Sequence, residues 1–451
     1  MTGVTLSRWT MAYFTVALAA LLVAEVLMAV GYGYPQLPIS APATLVLVHL
    51  VVLGWLSLLL CGALFQFVPV LVAKPLYSMW LSLPALGFLA GGIMVLVLGF
   101  LHLSGTIKVM FPFFPMASGL LVVGFGLVLW DLGLTLWKAR PLALPARFIV
   151  AGIGCLAAVV SFGVLFTLAL GGVTASPASV RLLAYALPLH VVAGLGGWLT
   201  LTAMGVSYRL LAMFMLAPEQ DRVSSHGAFW LGVAALGVVI VGGSAAIALN
   251  RGPGLMLLIG AVLGLIAVTL YIYDVVRLYQ TRRRRIIELN SKMVILAMAS
   301  LVLAVVLIVS LLGMEQLTQH IGAVVFLIAF GWLSGLGLAM LYKIVPFVTW
   351  LECYGPVLGK AVTPRVQDLV DEHRARKWFG LYFLGVWGAT AALLVDATVV
   401  FRIAAALMLV TTTGIVVQLL RARRLDDVPV PARFPAGSQR PRLFMASLRS
   451  N

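Results

Sequence analysis

Apolar residues fill windows of about 20 positions, the length that crosses a hydrocarbon core, again and again along this chain. Twelve such windows can be placed, near 9–31, 43–72, 78–101, 112–137, 145–170, 182–213, 226–248, 254–277, 289–313, 316–347, 377–397 and 400–420. The breaks between them are rich in turn formers, as in GYGYPQLPISAPA, GGVTASPAS and NRGPG. The pattern predicts an all-α polytopic membrane protein with twelve transmembrane helices. The opening MTGVTLSRWTMAYFTVALAALLVAEVLMAVGY is long enough to span and lacks a small-residue cleavage site, so it reads as the first helix and not as a cleaved leader. Residues 1–424 form the expected membrane domain. Residues 425–451, rich in Pro and Arg, read as a disordered cytoplasmic tail.

Composition agrees. Of 451 residues, 63% are hydrophobic and only 10% charged, with a mean hydropathy of +1.12, too little charge to cover a soluble protein of this size. The net charge of +16 invites a nucleic-acid partner, but the basic residues sit at helix ends and in alternate loops, which is the pattern of membrane topology. TRRRRIIE at 281–288, DEHRARK at 371–377 and RARR at 421–424 fall on the same side as Arg8. All but four of the 30 Lys and Arg, namely Lys108, Arg181, Arg251 and Arg402, lie there. Both termini are therefore expected in the cytoplasm, with the chain multi-pass in the inner membrane and the lipid bilayer, not nucleic acid, as its partner. Cys61, Cys155 and Cys353 form no CxxC or CxxCH, which excludes a covalent c-type haem or a thiolate cluster. No phosphate-binding glycine loop is present.

Three stretches align without gaps: GWLSLLLCGALFQFVP (54–69), GWLTLTAMGVSYRLLA (197–212) and GWLSGLGLAMLYKIVP (331–346). Each carries Gly-Trp-Leu, then Ser or Thr, then a small residue (Gly62, Gly205, Ala339), an aromatic (Phe65, Tyr208, Tyr342) and a polar residue (Gln66, Arg209, Lys343). Trp55, Trp198 and Trp332 recur four spans apart, so the twelve spans divide into three pseudo-symmetric four-helix units, roughly 9–137, 145–277 and 289–420, with the motif on the second helix of each. Close helix packing explains the small residues, and interfacial anchoring the aromatic and polar ones.

Upstream of each Gly-Trp lies a histidine, His49, His190 or His320, a few residues inside the non-cytoplasmic end of its span. An ionisable group inside a span is costly and is read by default as functional, and neutral imidazole is a common ligand of haem iron and copper. Three at similar depth on equivalent helices make metal or haem ligation the leading reading, with interhelical hydrogen bonding as the alternative. His102, His226 and His373 read as interfacial or loop residues. Glu25, in the first span, is a candidate proton-relay residue or a partner that orients an imidazole. Asp274 and Arg277 share a helix face and are placed to neutralise each other.

This combination resembles the catalytic subunit I of the haem–copper oxidase superfamily, closest to its nitric-oxide-reductase-like and NnrS-like branches. The resemblance implies a low-spin b-type haem between His49 and His320 and a copper ligand at His190. The sequence also departs from the family. Thr318-Gln319-His320 stands where active members have His-x-His, span seven has only His226, and no tyrosine follows His190 by four. These losses argue against oxygen reduction and leave a haem-binding role in electron transfer or nitric oxide response, with a cytochrome or quinol as electron donor. An oxidoreductase subunit remains open. The alternative is a cofactor-free transporter or metal permease whose His and Glu side chains line a polar path.

Overall fold

The computed structural model describes residues 8–173, 176–219 and 221–445. Among these there is no strand, and eleven helices are long and apolar enough to cross a membrane. They are α1 Thr10–Val30, α2 Pro42–Val72, α3 Ser82–Leu103, α4 Phe113–Lys138, α5 Leu144–Leu170, α6 Leu187–Met215, α7 Val223–Ala248, α8 Gly254–Gln280, α9 Leu289–Gly313, α10 Leu317–Val357 and, after an intervening helix α11 at Glu372–Leu394, α12 Thr398–Arg424. Twelve spans were expected; α11 is the one that falls outside the eleven. Glu372, Arg374, Arg376 and Lys377 occupy its first two turns and shorten its apolar part to 378–394. The protein is thus a polytopic helical membrane protein.

Contacts divide the chain into two compact units, one of residues 1–67 with 288–451 and one of 68–287. In the first, α1 packs on α2 and on α12, α9 packs on α10, and α11 on α12. In the second, α3 packs on α4, α4 on α5, α5 on α6, and α7 on α8. The helices bearing the repeated motif are the most enclosed. Of their apolar windows, 83% in α10 and 61% in α2 and α6 are buried, against 17% in α8. Peripheral helices instead present large apolar side chains outward, Met94, Val262 and Ile403 among them, as a lipid-facing surface requires.

The small residues of the motif have a direct cause. A Cβ on Gly62 would meet Tyr13 Cβ of α1 at 2.5 Å, and one on Gly205 would collide with Phe148 of α5. The glycines before the motif tryptophans act the same way: a Cβ on Gly197 would lie 2.5 Å from Cys155 Cβ of α5, and one on Gly331 2.7 Å from Ser300 Cβ of α9. In each case the second helix of a repeat is pressed against the first, as small-residue packing in membranes predicts.

A feature without any signal in the composition accompanies the motif. The backbone of α2 is π-helical over Leu50–Ser57, that of α6 over Val192–Leu201 and that of α10 over Leu327–Ser334. Each stretch contains the Gly-Trp-Leu. π-Helices are rare, normally single-turn, and concentrate at functional sites.

Residues 425–445, whose composition reads as a disordered tail, pack against the first unit. Leu425 and Val428 are buried with Cys353, Tyr354, Val357 and Leu369. The Tyr354 hydroxyl donates to the Arg433 carbonyl at 3.0 Å, and the Gln439 amide to the Cys353 carbonyl at 3.3 Å.

Candidate functional site

The π-helical stretch of α10 anchors a buried polar network in the first unit. Trp55, fully buried, donates its indole N–H to Ser334 Oγ at 2.8 Å. Ser334 donates in turn to the Ala329 carbonyl at 2.7 Å. The Phe330 carbonyl accepts both the Gly335 amide, one residue further along than an α-helix would allow, and the Tyr382 hydroxyl of α11 at 3.0 Å. Glu25 is completely buried; its Oε1 accepts from Thr412 Oγ1 of α12 at 2.8 Å, and its Oε2 has no hydrogen-bond partner among the described residues. Side chains of α2 and α11 thus meet the π-helical stretch of α10, and α1 meets α12 at Glu25.

An unpaired buried charge costs several kcal/mol or more, whereas a protonated carboxyl costs far less. Of these residues, Glu25 and Ser334 carried signals in the sequence, the one as an acid inside a span and the other as the hydroxyl two after a motif tryptophan. Tyr382 and Thr412 carried none, because they reach the site from α11 and α12.

The histidines are placed differently. His49 is half-buried immediately before the π-helical stretch of α2, and its Nδ1 donates to the Leu45 carbonyl at 2.8 Å. That bond fixes the tautomer and orientation of the ring. His320 lies near the start of α10, where its φ of −105° and ψ of 15° break the helix. Gly322, two residues on, touches the Tyr34 hydroxyl in the loop before α2.

Two contacts set the level of α10 against α2. Trp55 meets Ser334, and a Cβ on Gly337 would fall 2.6 Å from Leu59. Both pairs advance together, so the helices run parallel, and His49 is level with Leu327 and Ile328, not with His320. The separation is seven or eight residues, about 11 Å along the axis. A porphyrin gripped from both faces needs its two imidazoles at one level. The arrangement therefore does not fit a haem held between His49 and His320.

In the second unit, His190 lies edge-on to the Phe166 ring, with centroids 5.4 Å apart. No group of three or more His, Cys, Asp or Glu side chains able to hold a metal ion occurs among the described residues. Asp274 is not neutralised by Arg277 as its spacing suggested. It accepts from Tyr208, the motif aromatic, at 2.8 Å and from Ser224 at 2.5 Å, while Arg277 donates to the Tyr273 hydroxyl. The polar residues that follow the motif aromatics form ion pairs, Arg209 with Glu219 and Lys343 with Glu288, the latter at 2.6 Å.

Neither known family models nor curated proteins match this chain.

Proposed function

We propose that this protein handles protons within the membrane, with Glu25 as the exchangeable group and Thr412 as the hydroxyl bonded to it. The observation that carries this reading is the carboxyl itself: fully buried, donated to on Oε1 and unpartnered on Oε2. Intramembrane acids of this kind mark proton relays and substrate paths. The surrounding scaffold is read as twelve helices in three four-helix units resembling subunit I of the haem–copper oxidases. The repeated motif and its π-helical backbone support that reading. The asymmetry of Lys and Arg supports an inner-membrane protein with both termini in the cytoplasm.

The test is proton flux into proteoliposomes carrying a trapped pH dye, driven by an imposed potassium diffusion potential. Glu25→Gln keeps the size of the side chain and an acceptor for Thr412 but cannot exchange the proton, and is expected to slow the flux at least about tenfold. Glu25→Asp should restore part of it. Flux that is equal in the Glu25→Gln protein removes the proposal.

A second reading has one observation in its favour, the His49 Nδ1–Leu45 bond, since a ligating imidazole is commonly oriented by such a bond on its other nitrogen. Here His49 would hold a b-type haem with a partner other than His320, and the haem would supply one-electron chemistry fed by a cytochrome or quinol. A haem-replete preparation should then show a Soret band that is lost in His49→Ala and kept in His320→Ala. Absence of the band ends this reading. A copper ion at His190 would have to find ligands beyond a cluster of three His, Cys or acid side chains, since none occurs among the described residues.

A further inference from the structure

Where α12 ends and the tail folds back, the first unit contains a cavity of about 340 Å³ walled by Arg423, Arg424, Arg433, Arg440 and Phe434. Its volume is in the range of small-molecule sites. No acidic side chain among the described residues lines it, and the nearby carboxylates are engaged elsewhere. Glu352 binds Arg423 at 2.6 Å, and Asp427 binds Arg421 at 2.6 Å and Arg374 at 3.0 Å. Three guanidinium groups are left without a carboxylate.

Each of the three is held in place or free to turn inward. Arg433 donates to the carbonyls of Val428 and Asp426 at 3.1 and 3.2 Å, Arg440 lies over the Phe434 ring at 5.2 Å, and Arg424 makes no hydrogen bond or ion pair among the described residues. Arg423 fixes the far wall, because its guanidinium donates to the carbonyls of Arg442 and Met445 and so holds the tail back against the helix. The cavity thus depends on the tail's position. It also sits at the end of the last apolar span, the level at which a bilayer presents its phosphates.

We propose that this cavity binds a phosphate group, with Arg424, Arg433 and Arg440 as its charged contacts, and that an occupied site fastens the C-terminal segment to the end of α12. Planar guanidinium forks match phosphate oxygens in pairs, and basic pockets at the cytoplasmic ends of membrane helices suit anionic headgroups. A phospholipid and a soluble phosphate share this chemistry.

The test uses the full-length protein in neutral detergent. Its thermal stability and the tryptic cleavage of its tail are followed against a short-chain anionic phospholipid, inorganic phosphate and a zwitterionic phospholipid. Protection of the tail by the anionic lipid alone assigns the ligand to the bilayer, and equal protection by inorganic phosphate assigns it to the soluble pool. Arg424→Gln with Arg440→Gln removes two exposed charges and should weaken protection about twenty- to thirty-fold, at about fivefold per charge. Arg283→Gln with Arg285→Gln, exposed arginines of the 281–288 loop, should leave it unchanged. Protection by neither phosphate compound, or an equal loss in both double variants, overturns the proposal. Its failure would leave the proton-flux result untouched.

Discussion

The hydrogen bond from Trp55 to Ser334 is the most direct test of the buried network, because its two partners come from different repeats and nothing exposed shares it. Ser334→Ala leaves the Trp55 N–H enclosed, at 0% exposure, without its acceptor. That costs about 1–3 kcal/mol, and the lost bond to the Ala329 carbonyl adds about 1 kcal/mol. Trp55→Phe removes the donor and leaves a gap where the larger ring stood, a separate cost. In the double variant the stranded N–H no longer exists, so its penalty is recovered. The expected coupling is about 1–2 kcal/mol, somewhat above the average of about 0.6 kcal/mol for hydrogen bonds between membrane helices, because both partners are sealed from any replacement. Reversible unfolding in mixed micelles of increasing sodium dodecyl sulphate, followed by circular dichroism, gives the four free energies. Additivity to within about 0.3 kcal/mol would mean that the two residues do not meet, and the level assigned to His49 against His320 would lose one of its two supports.

Gly62→Ala should destabilise by about 1–3 kcal/mol through overpacking on Tyr13, whereas Gly126→Ala, whose Cβ would meet nothing within 4 Å, should be neutral or slightly stabilising in the same titration. Arg423→Met strands Glu352, which is 1% exposed. A loss of about 3–5 kcal/mol and faster tryptic cleavage after Arg433 and Arg442 are expected, the latter because the tail carbonyls lose their donor. Asp427, outside the spans, gives a pH dependence. Burial pushes its carboxyl up, but the hydrogen bonds from Arg421 and Arg374 outweigh burial and hold it below the usual carboxylate value. Its contribution is therefore complete above the unfolded value of about 4 and disappears as pH falls through the lower folded one. Asp427→Asn should cost stability at pH 7, and the gap from the wild type should close in acid; a gap that widens instead contradicts the pairing.

The polytopic helical architecture was legible in the sequence because lipid leaves a chain few choices: long apolar windows with turn formers between them. The motif's glycines were legible as packing residues, and the structure supplies the surfaces they touch, Tyr13, Phe148, Cys155 and Ser300. Two parts of the picture were less visible. The charges in the first turns of α11 fall within a helix that also carries Tyr382 and Phe383 into the core, so helix length and apolar length differ there. The tail at 425–445 looks polar as a whole, yet Leu425 and Val428 are enough to seat it against Cys353 and Tyr354.

The numbers that bear on the depth of His49 against His320 lay in the sequence. His49 precedes Trp55 by six positions, His190 precedes Trp198 by eight, and His320 precedes Trp332 by twelve. Once Trp55 is set level with Ser334, as their contact requires, His49 and His320 fall at different levels of α2 and α10. What the three repeats do share is the wider backbone through Gly-Trp-Leu. In α10 that backbone brings the Ala329 and Phe330 carbonyls to side-chain donors, Ser334 from its own helix and Tyr382 from α11. The hydroxyl two after Trp332 joins the indole of one repeat to the backbone of another. On the proton-handling proposal the exchangeable group of this unit is Glu25, held by Thr412 of α12.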